Sequence, residues 1–412
     1  MAGALEGIRV LDLTHWQQGP VATAMLGDWG ADVIKIESPD IPDAGRSMVR
    51  YEAAAGGVNA YFEVHNRNKR GIVLDLKSER GLEVFYRLAR QVDVIVQNFR
   101  PGVSERLHVD SQTLSALNPR LIYCTASGFG LAGPESGLPA LDPLAQARAG
   151  IMSVTGEPEA PPARTFNGFI DQVSAFLLAF GVAVALFHRE RTGEGQMVDG
   201  SLLQAALAVQ SFNVSSYLMN GTYGGSPIPR ISRKLTSPLW NQYRCSDGKW
   251  IMLAMAQPGR YWPHFRRLIQ EVTGTELQPE ELSVDWMRFH AAELMEIISR
   301  LDEMFATKAA RQWLELFRGE DLLAEAVQEY RDLEMDPQVV ANNMITSFDH
   351  PSFGPLKLVN VAINLSKTPG LLGKPAPEFG QHTEEVLLEF GYTWEEIEAL
   401  RETGVIGQRL EA

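Results

Sequence analysis

A chain of 412 residues, 45% hydrophobic and 21% charged, has the composition of a soluble globular protein and enough length for two or three domains. Its formal net charge of −14 argues against nucleic acid or an anionic membrane as the main partner. No signal-type apolar segment opens the chain, and Cys124 and Cys245 lie far apart without metal-ligand spacing, so a cytoplasmic, reducing setting is expected.

Residues 8–13 (IRVLDL) read as a short buried parallel strand, followed by the turn THWQQGP, with Pro20 placed to start a helix. Residues 32–36 (DVIKI) form the next strand, which makes a β-α-β unit without a GxGxxG phosphate fingerprint. Residues 39–58 read as a long surface loop. Strands follow in GIVLDL (71–76), 92–97 and 121–125, with a Ser78-capped helix after the first of them. Polar and basic residues cluster at the strand ends, where open α/β sheets bind ligands. Residues 142–154 are expected to be one helix and 155–163 a connector. The apolar run 173–187, interrupted by Ser174 and Gly181 and shorter than the ~20 residues of a membrane span, reads as a buried core helix. It ends in HRERTG, with cations in the last turn and Gly193 as the stop. A short strand at 196–198 precedes a helix from Ser201 to about Met219.

Residues 220–232, rich in Gly and Pro, suggest a lid or linker. A hairpin is expected around 243–254, then mostly helix to residue 318, a strand at 355–361, and two C-terminal helices separated by Gly391. The domain boundaries expected are 1–224 for the first part of a large α/β domain, 225–330 for a small domain, and 331–412 for the return of the chain to the large one.

Asp171 stands at the entrance to the apolar helix. It is either an N-cap or a reactive carboxylate at the positive end of a helix dipole beside a dry core. Lys69, Arg70, Lys77, Arg100 and Arg106, near strand ends, either bind phosphates or solvate the surface. The eight histidines show no HxH or HExxH pairing, so no metal site is expected.

The stretches LEGIRVLDLTHWQQGPVATAMLGDWGADVIKIE, YFEVHNRNKRGIVLDLK, DVIVQNFRPGVSERL, HRERTGEGQMVDGSLLQAAL and FGQHTEEVLLEFGY resemble the class III CoA-transferases, a family that includes formyl-CoA:oxalate and carnitine CoA-transferases. The likeness runs from about residue 5 to the C-terminus and weakens between 220 and 330. It implies a doubly wound, Rossmann-like α/β domain built from both chain ends, a smaller α+β middle domain, and an interlocked homodimer. It implies that Asp171 becomes acylated and that Gln17 and Gln18 contact the reacting thioester and CoA. It places Leu74 to Lys77, Asn98, Phe99 and Arg100, and Arg106, at the CoA nucleotide, and Tyr61 near the acyl group. Gly224 and Gly225 match, loosely, a glycine loop over the acyl-enzyme. The substrates implied are an acyl-CoA donor and a carboxylic acid acceptor, with no permanently bound cofactor and no metal.

The chain departs from the family pattern in places. Residues 323–327 (LAEAV) replace a Pro-Cys-Gly-Pro-Val segment. Pro139 and Ser38 stand where formyl-CoA transferase has a CoA-contacting lysine and an arginine, which argues against simple formate–oxalate exchange. The rival on the same fold is an α-methylacyl-CoA racemase, which has a His-Asp pair where this chain has Leu141-Asp142; without the imidazole, two-base proton transfer lacks a partner. The remaining alternative is a CoA-binding protein without turnover.

Overall fold

The computed structural model describes residues 3–51, 57–221, 230 and 232–407. Contacts divide the chain into one unit of residues 1–151, 164–223 and 342–412 and a second of 152–163 and 224–341.

The first unit is built on a six-stranded parallel sheet, β1 (Arg9–Asp12), β2 (Asp32–Glu37), β3 (Lys69–Val73), β4 (Val94–Gln97), β5 (Ile122–Ser127) and β6 (Met197–Ser201), in the order β3-β2-β1-β4-β5-β6. Parallel strands covered on both faces need apolar residues at successive positions, and the inner strands β1, β2, β4 and β5 have them, whereas the edge strand β6 (MVDGS) does not. Leu11, Ile34, Ile72, Ile95 and Tyr123 point to one face, where the Glu79–Ala89 helix and the two C-terminal helices, Thr383–Glu389 and Trp394–Glu402, supply Phe85, Leu88, Val386, Leu387, Ile397 and Leu400. Val10, Val33, Val94, Val96 and Ile122 point to the other, against the Gln18–Asp28 and Phe169–Thr192 helices. The strand order reverses between β1 and β4, and at such a switch point the loops leaving the strand ends open a crevice.

The second unit carries an antiparallel sheet of β7 (Trp240–Arg244), β8 (Trp250–Ala254) and β9 (Ala324–Ala326). Its core stacks Trp262, Phe265, Phe305, Trp313 and Phe317 from three amphipathic helices.

Several elements differ from the sequence reading. Residues 142–154 are two helices, Asp142–Arg148 and Ile151–Val154, because Gly150 turns to φ 85°. The helix expected to run from Ser201 to Met219 breaks at Gln210. The loop 39–58 contains a 3-10 helix, Ala44–Tyr51. The strand expected at 355–361 is β11 (Gly354–Val359), and it pairs with an unanticipated β10 (Ile345–His350). The apolar run is part of a 24-residue helix, Phe169–Thr192, the one helix among the described residues long and apolar enough to cross a membrane. It is buried on one side only. Ser174, Ala175, Leu178, Val182 and Ala185 pack inward, whereas Phe176, Leu177, Phe180, Val184 and Phe187 are exposed.

Candidate active site

Asp171 lies in the first turn of the Phe169–Thr192 helix, half-buried, but it does not cap that helix. The cap position is Gly168, with φ 77°. Both its backbone and its surroundings require glycine: a Cβ there would lie 2.4 Å from the Gln17 side-chain amide atoms. Gln17 Nε2 donates to Gly168 O at 3.2 Å, which brings Gln17 onto the turn that carries Asp171.

The free N–H groups at this helix start are taken by another helix. Asp142 Oδ2 accepts from Ile170 N at 2.5 Å and from Asp171 N at 3.3 Å. Asp142 is buried and its Oδ1 accepts from Gln146 Nε2 at 2.6 Å. The capping role considered for Asp171 therefore belongs to Asp142, and the Asp171 carboxylate is left available. The electrostatic consequence opposes the simple dipole expectation that the helix start favours the ionised form. Burial first, and the nearby Asp142 second, raise the Asp171 pKa to about 7.

Asp142 is the residue that sequence reasoning missed as part of the site. In the sequence it stands out for the leucine, Leu141, that precedes it where the racemases have a histidine. The signal available was an Asp-Pro helix start, and nothing local says that its carboxylate faces a second helix start 29 residues on.

Tyr61, on the Ala60–Asn66 helix, packs edge-on against His65 with ring centroids 4.3 Å apart. Burial, then the charges of Asp171 and Asp43, hold its phenol well above the usual range, so Tyr61 lies within electrostatic reach of the same carboxylate. Gln17, Tyr61, Asp142 and Asp171 thus converge. Gln18 does not join them: it is buried, and its Nε2 donates to Ser174 Oγ at 2.7 Å and Ser127 O at 3.4 Å, so it braces the helix behind Asp171.

The nucleotide-contact candidates separate into two groups. Leu74, Lys77 and Phe99 line a cleft of about 90 Å³ together with Leu13, His15 and Ser38, at the ends of β1, β2, β3 and β4. Lys77, Arg100 and Arg106 are exposed beside or within the segments that form it. Asn98 instead clamps the turn after β1, accepting from His15 N at 3.0 Å and donating to His15 O at 2.7 Å.

Two of the five cations weighed as phosphate ligands are engaged within the fold. Lys69 is fully buried and bonds Asp12 at 2.8 Å, Pro20 O and Asn66 Oδ1 at 2.9 Å; its burial pulls the pKa down to about 8 while Asp12 opposes the shift. Arg70 pairs with Asp32 at 2.6 Å and with Glu385 and Glu389 on a C-terminal helix. Their neighbour Asn68 accepts from Gly373 N and Lys374 N, both at 2.9 Å. The NRNKR motif is therefore a strap that holds the returning chain end against β3. Gly224 and Gly225 lie outside the described residues.

Residues 5–383 match the family described as CoA-transferase family III. The chain is 32% identical over 405 residues to the (R)-2-hydroxy-4-methylpentanoate CoA-transferase of Clostridioides difficile, covering 98% of this chain and 99% of that enzyme. It is 32% identical over 419 residues to the formyl-CoA:oxalate CoA-transferase of Streptomyces coelicolor, covering 98% and 100%. Among solved structures, a CAIB/BAIF family protein from Brucella suis superposes with a TM-score of 0.81 at 28% identity, covering 95% of this chain and 100% of that one.

Proposed function

We propose that this chain, which belongs to CoA-transferase family III, moves CoA from an acyl-CoA thioester to a carboxylic acid through covalent intermediates on Asp171. The observation that carries the reading is the position of Asp171: a half-buried carboxylate released from capping by Asp142, with the Gln17 amide on the adjoining turn and Tyr61 alongside.

The ionised Asp171 oxygen attacks the thioester carbonyl, and collapse of the tetrahedral adduct expels CoA thiolate and leaves an aspartyl–acyl anhydride. The thiolate then attacks the Asp171 carbonyl, releasing the donor acid and forming an aspartyl–CoA thioester. The acceptor carboxylate attacks that thioester, expels the thiolate and gives a second anhydride. The thiolate finally takes the new acyl group and frees Asp171. Each step exchanges one activated acyl bond for another, so the energy of the thioester is kept within the enzyme. The oxyanion in each adduct needs a donor, a role we assign to the second N–H of the Gln17 amide, whose first is given to Gly168 O. Water must be excluded, a role for the apolar first turns of the Asp171 helix.

Incubation with a panel of acyl-CoAs that includes formyl-, succinyl- and 2-hydroxy-4-methylpentanoyl-CoA, acids drawn from the names of relatives, followed by intact-mass measurement, tests the assignment. A donor-dependent adduct mapping to Asp171 is the expected result; absence of both adduct and exchange across the panel would rule it out.

CoA enters as a substrate. We assign its nucleotide end to the strand ends at the switch point, where Lys77 lines the cleft and the exposed Arg100 and Arg106 each adjoin in sequence a residue that lines it, Phe99 and Leu107. Replacing Arg100 and Arg106 together by alanine is expected to raise KM for the donor tenfold or more, with the difference shrinking as salt rises, and to leave kcat within about twofold. A kcat loss at unchanged KM would assign these residues elsewhere.

The exposed face of the Phe169–Thr192 helix supports a partner subunit of the same chain. Phe176, Phe180, Val184 and Phe187 form an apolar stripe of a kind that monomers rarely leave in water. Sedimentation is expected to give twice the 45.6 kDa chain mass, and Phe180→Glu to shift it toward the monomer; a monomeric wild-type chain would contradict this.

A further inference from the structure

The turn between β1 and the Gln18–Asp28 helix holds a conformation that its sequence should resist. Trp16 has φ 70°, in the left-handed region that a large L-side chain enters only against steric resistance. Such strain persists where the surroundings over-determine it. Here they do. Thr14 N donates to Asp12 Oδ1 at 2.9 Å, and Lys35 Nζ donates to Thr14 O at 2.7 Å. Asn98 grips both backbone groups of His15. Trp16 N itself donates to Asp43 Oδ1 at 3.0 Å, and Asp43 is fixed by Lys35 at 2.8 Å and by Gly45 N at 2.9 Å.

A glycine would satisfy this backbone without strain, so the feature served by the geometry is the indole. It is 45% exposed rather than packed into the core. Among the described residues it enters no hydrogen bond or ring contact. It is joined directly to Gln17, whose amide rests on Gly168 at the start of the Asp171 helix, and its backbone shares Asp43 with the charged surroundings of Tyr61. A large, flat, apolar surface is thus presented by a fixed turn, one residue from the Gln17 amide that rests on the start of the Asp171 helix.

We propose that Trp16 is a specificity-determining residue of the acyl-transfer site, its indole forming a wall that selects acids with an aromatic or branched-alkyl body over acids of one or two carbons. A bulky acyl group covers the indole and removes both surfaces from water, whereas a formyl or acetyl group leaves the wall wet and gains nothing from it. This inference rests on the assignment of Asp171 as the acyl carrier.

The test compares kcat/KM for phenylacetyl-CoA and 3-methylbutanoyl-CoA with that for acetyl-CoA, in the wild-type chain, Trp16→Gly and Trp16→Phe. The wild type is expected to favour the bulky donors at least tenfold. Trp16→Gly is expected to reduce that preference tenfold or more, while its Tm stays level or rises because the backbone strain is relieved. Trp16→Phe is expected to retain most of the preference. An unchanged ratio in Trp16→Gly overturns the proposal. So does an unchanged ratio accompanied by a changed sedimentation coefficient, which would give the indole to a subunit contact. A wild-type chain that transfers from no donor and forms no Asp171 adduct overturns the transferase reading together with this one, whereas normal transfer with an unaltered ratio overturns this one alone.

Discussion

Asp171→Ala is expected to lower CoA exchange at least about a thousandfold, because the one neighbouring carboxylate described at the site, Asp142, is buried and held by Ile170 N, Asp171 N and Gln146 Nε2. Binding of the CoA thioester should persist, since the strand-end cleft assigned to CoA is lined by Leu74, Lys77 and Phe99 and not by Asp171. The acyl adduct seen by intact mass should vanish. Exchange at the wild-type rate would eliminate the covalent assignment; loss of exchange with retained binding would eliminate the alternative of a CoA-binding protein without turnover.

Replacing Asp171 by asparagine adds a second observable, in stability. The folded pKa of about 7 stands above the ordinary value of 3.8. Between those two values the native state holds a proton that the unfolded chain releases, so the group's contribution to stability is fully present below about pH 4 and is lost as pH rises through about 7. Asp171→Asn removes that penalty. Its Tm should match the wild type near pH 4 and exceed it at pH 8, by the equivalent of about 1–3 kcal/mol once solvent screening of a half-buried group is allowed for. A variant that is inactive yet more stable at alkaline pH would mark a carboxylate held at this position against its own electrostatics. The activity of the wild type should rise with pH through the same range, because only the ionised form attacks.

The parallel sheet was legible because most of its strands contain a short apolar run that begins and ends abruptly, as in IRVLDL and DVIKI. The hairpin partner β10, ITSFDH, was not, because a solvated two-stranded ribbon has no continuous apolar signal, and β11 alternates half-buried and exposed positions. The site was legible in part. Asp171 stood out as an acid at the head of an apolar helix, and Gln17 as a polar residue after a strand. What could not be read was how the polar groups divide between structure and surface. Lys69 and Lys77 both sit near strand ends in the sequence. One is fully buried on Asp12 while the other is exposed, because β3 is a sheet edge bound to the returning C-terminus through Gly71 and His382. Gln17 and Gln18 likewise differ only by the direction of successive side chains at a helix start, and that direction is set by Trp16, whose positive φ no propensity would assign to tryptophan.

The capping of the Asp171 helix by Asp142 couples the reactive group to a second carboxylate, and the coupling gives a prediction of its own. Asp142→Asn keeps an oxygen able to accept from Ile170 N while removing the charge that helps to raise the Asp171 pKa. The acid limb of the pH–rate profile should then move downward from about 7, stopping short of the ordinary carboxylate range because burial, the larger cause, remains. The amide also sets its NH2 group toward Gln146 Nε2, a donor facing a donor, so about 1 kcal/mol of stability should be lost. Asp142→Ala removes the charge and the cap together. It should shift the limb in the same direction, cost roughly 1–2 kcal/mol more than the asparagine variant, and lower kcat further, because the first turn that fixes Asp171 against Gln17 loses its anchor. An acid limb that stays in place in both variants would show that Asp142 serves the helix start alone. A limb that shifts equally in both, with stability and kcat falling further in the alanine variant, would separate its electrostatic role at Asp171 from its mechanical one.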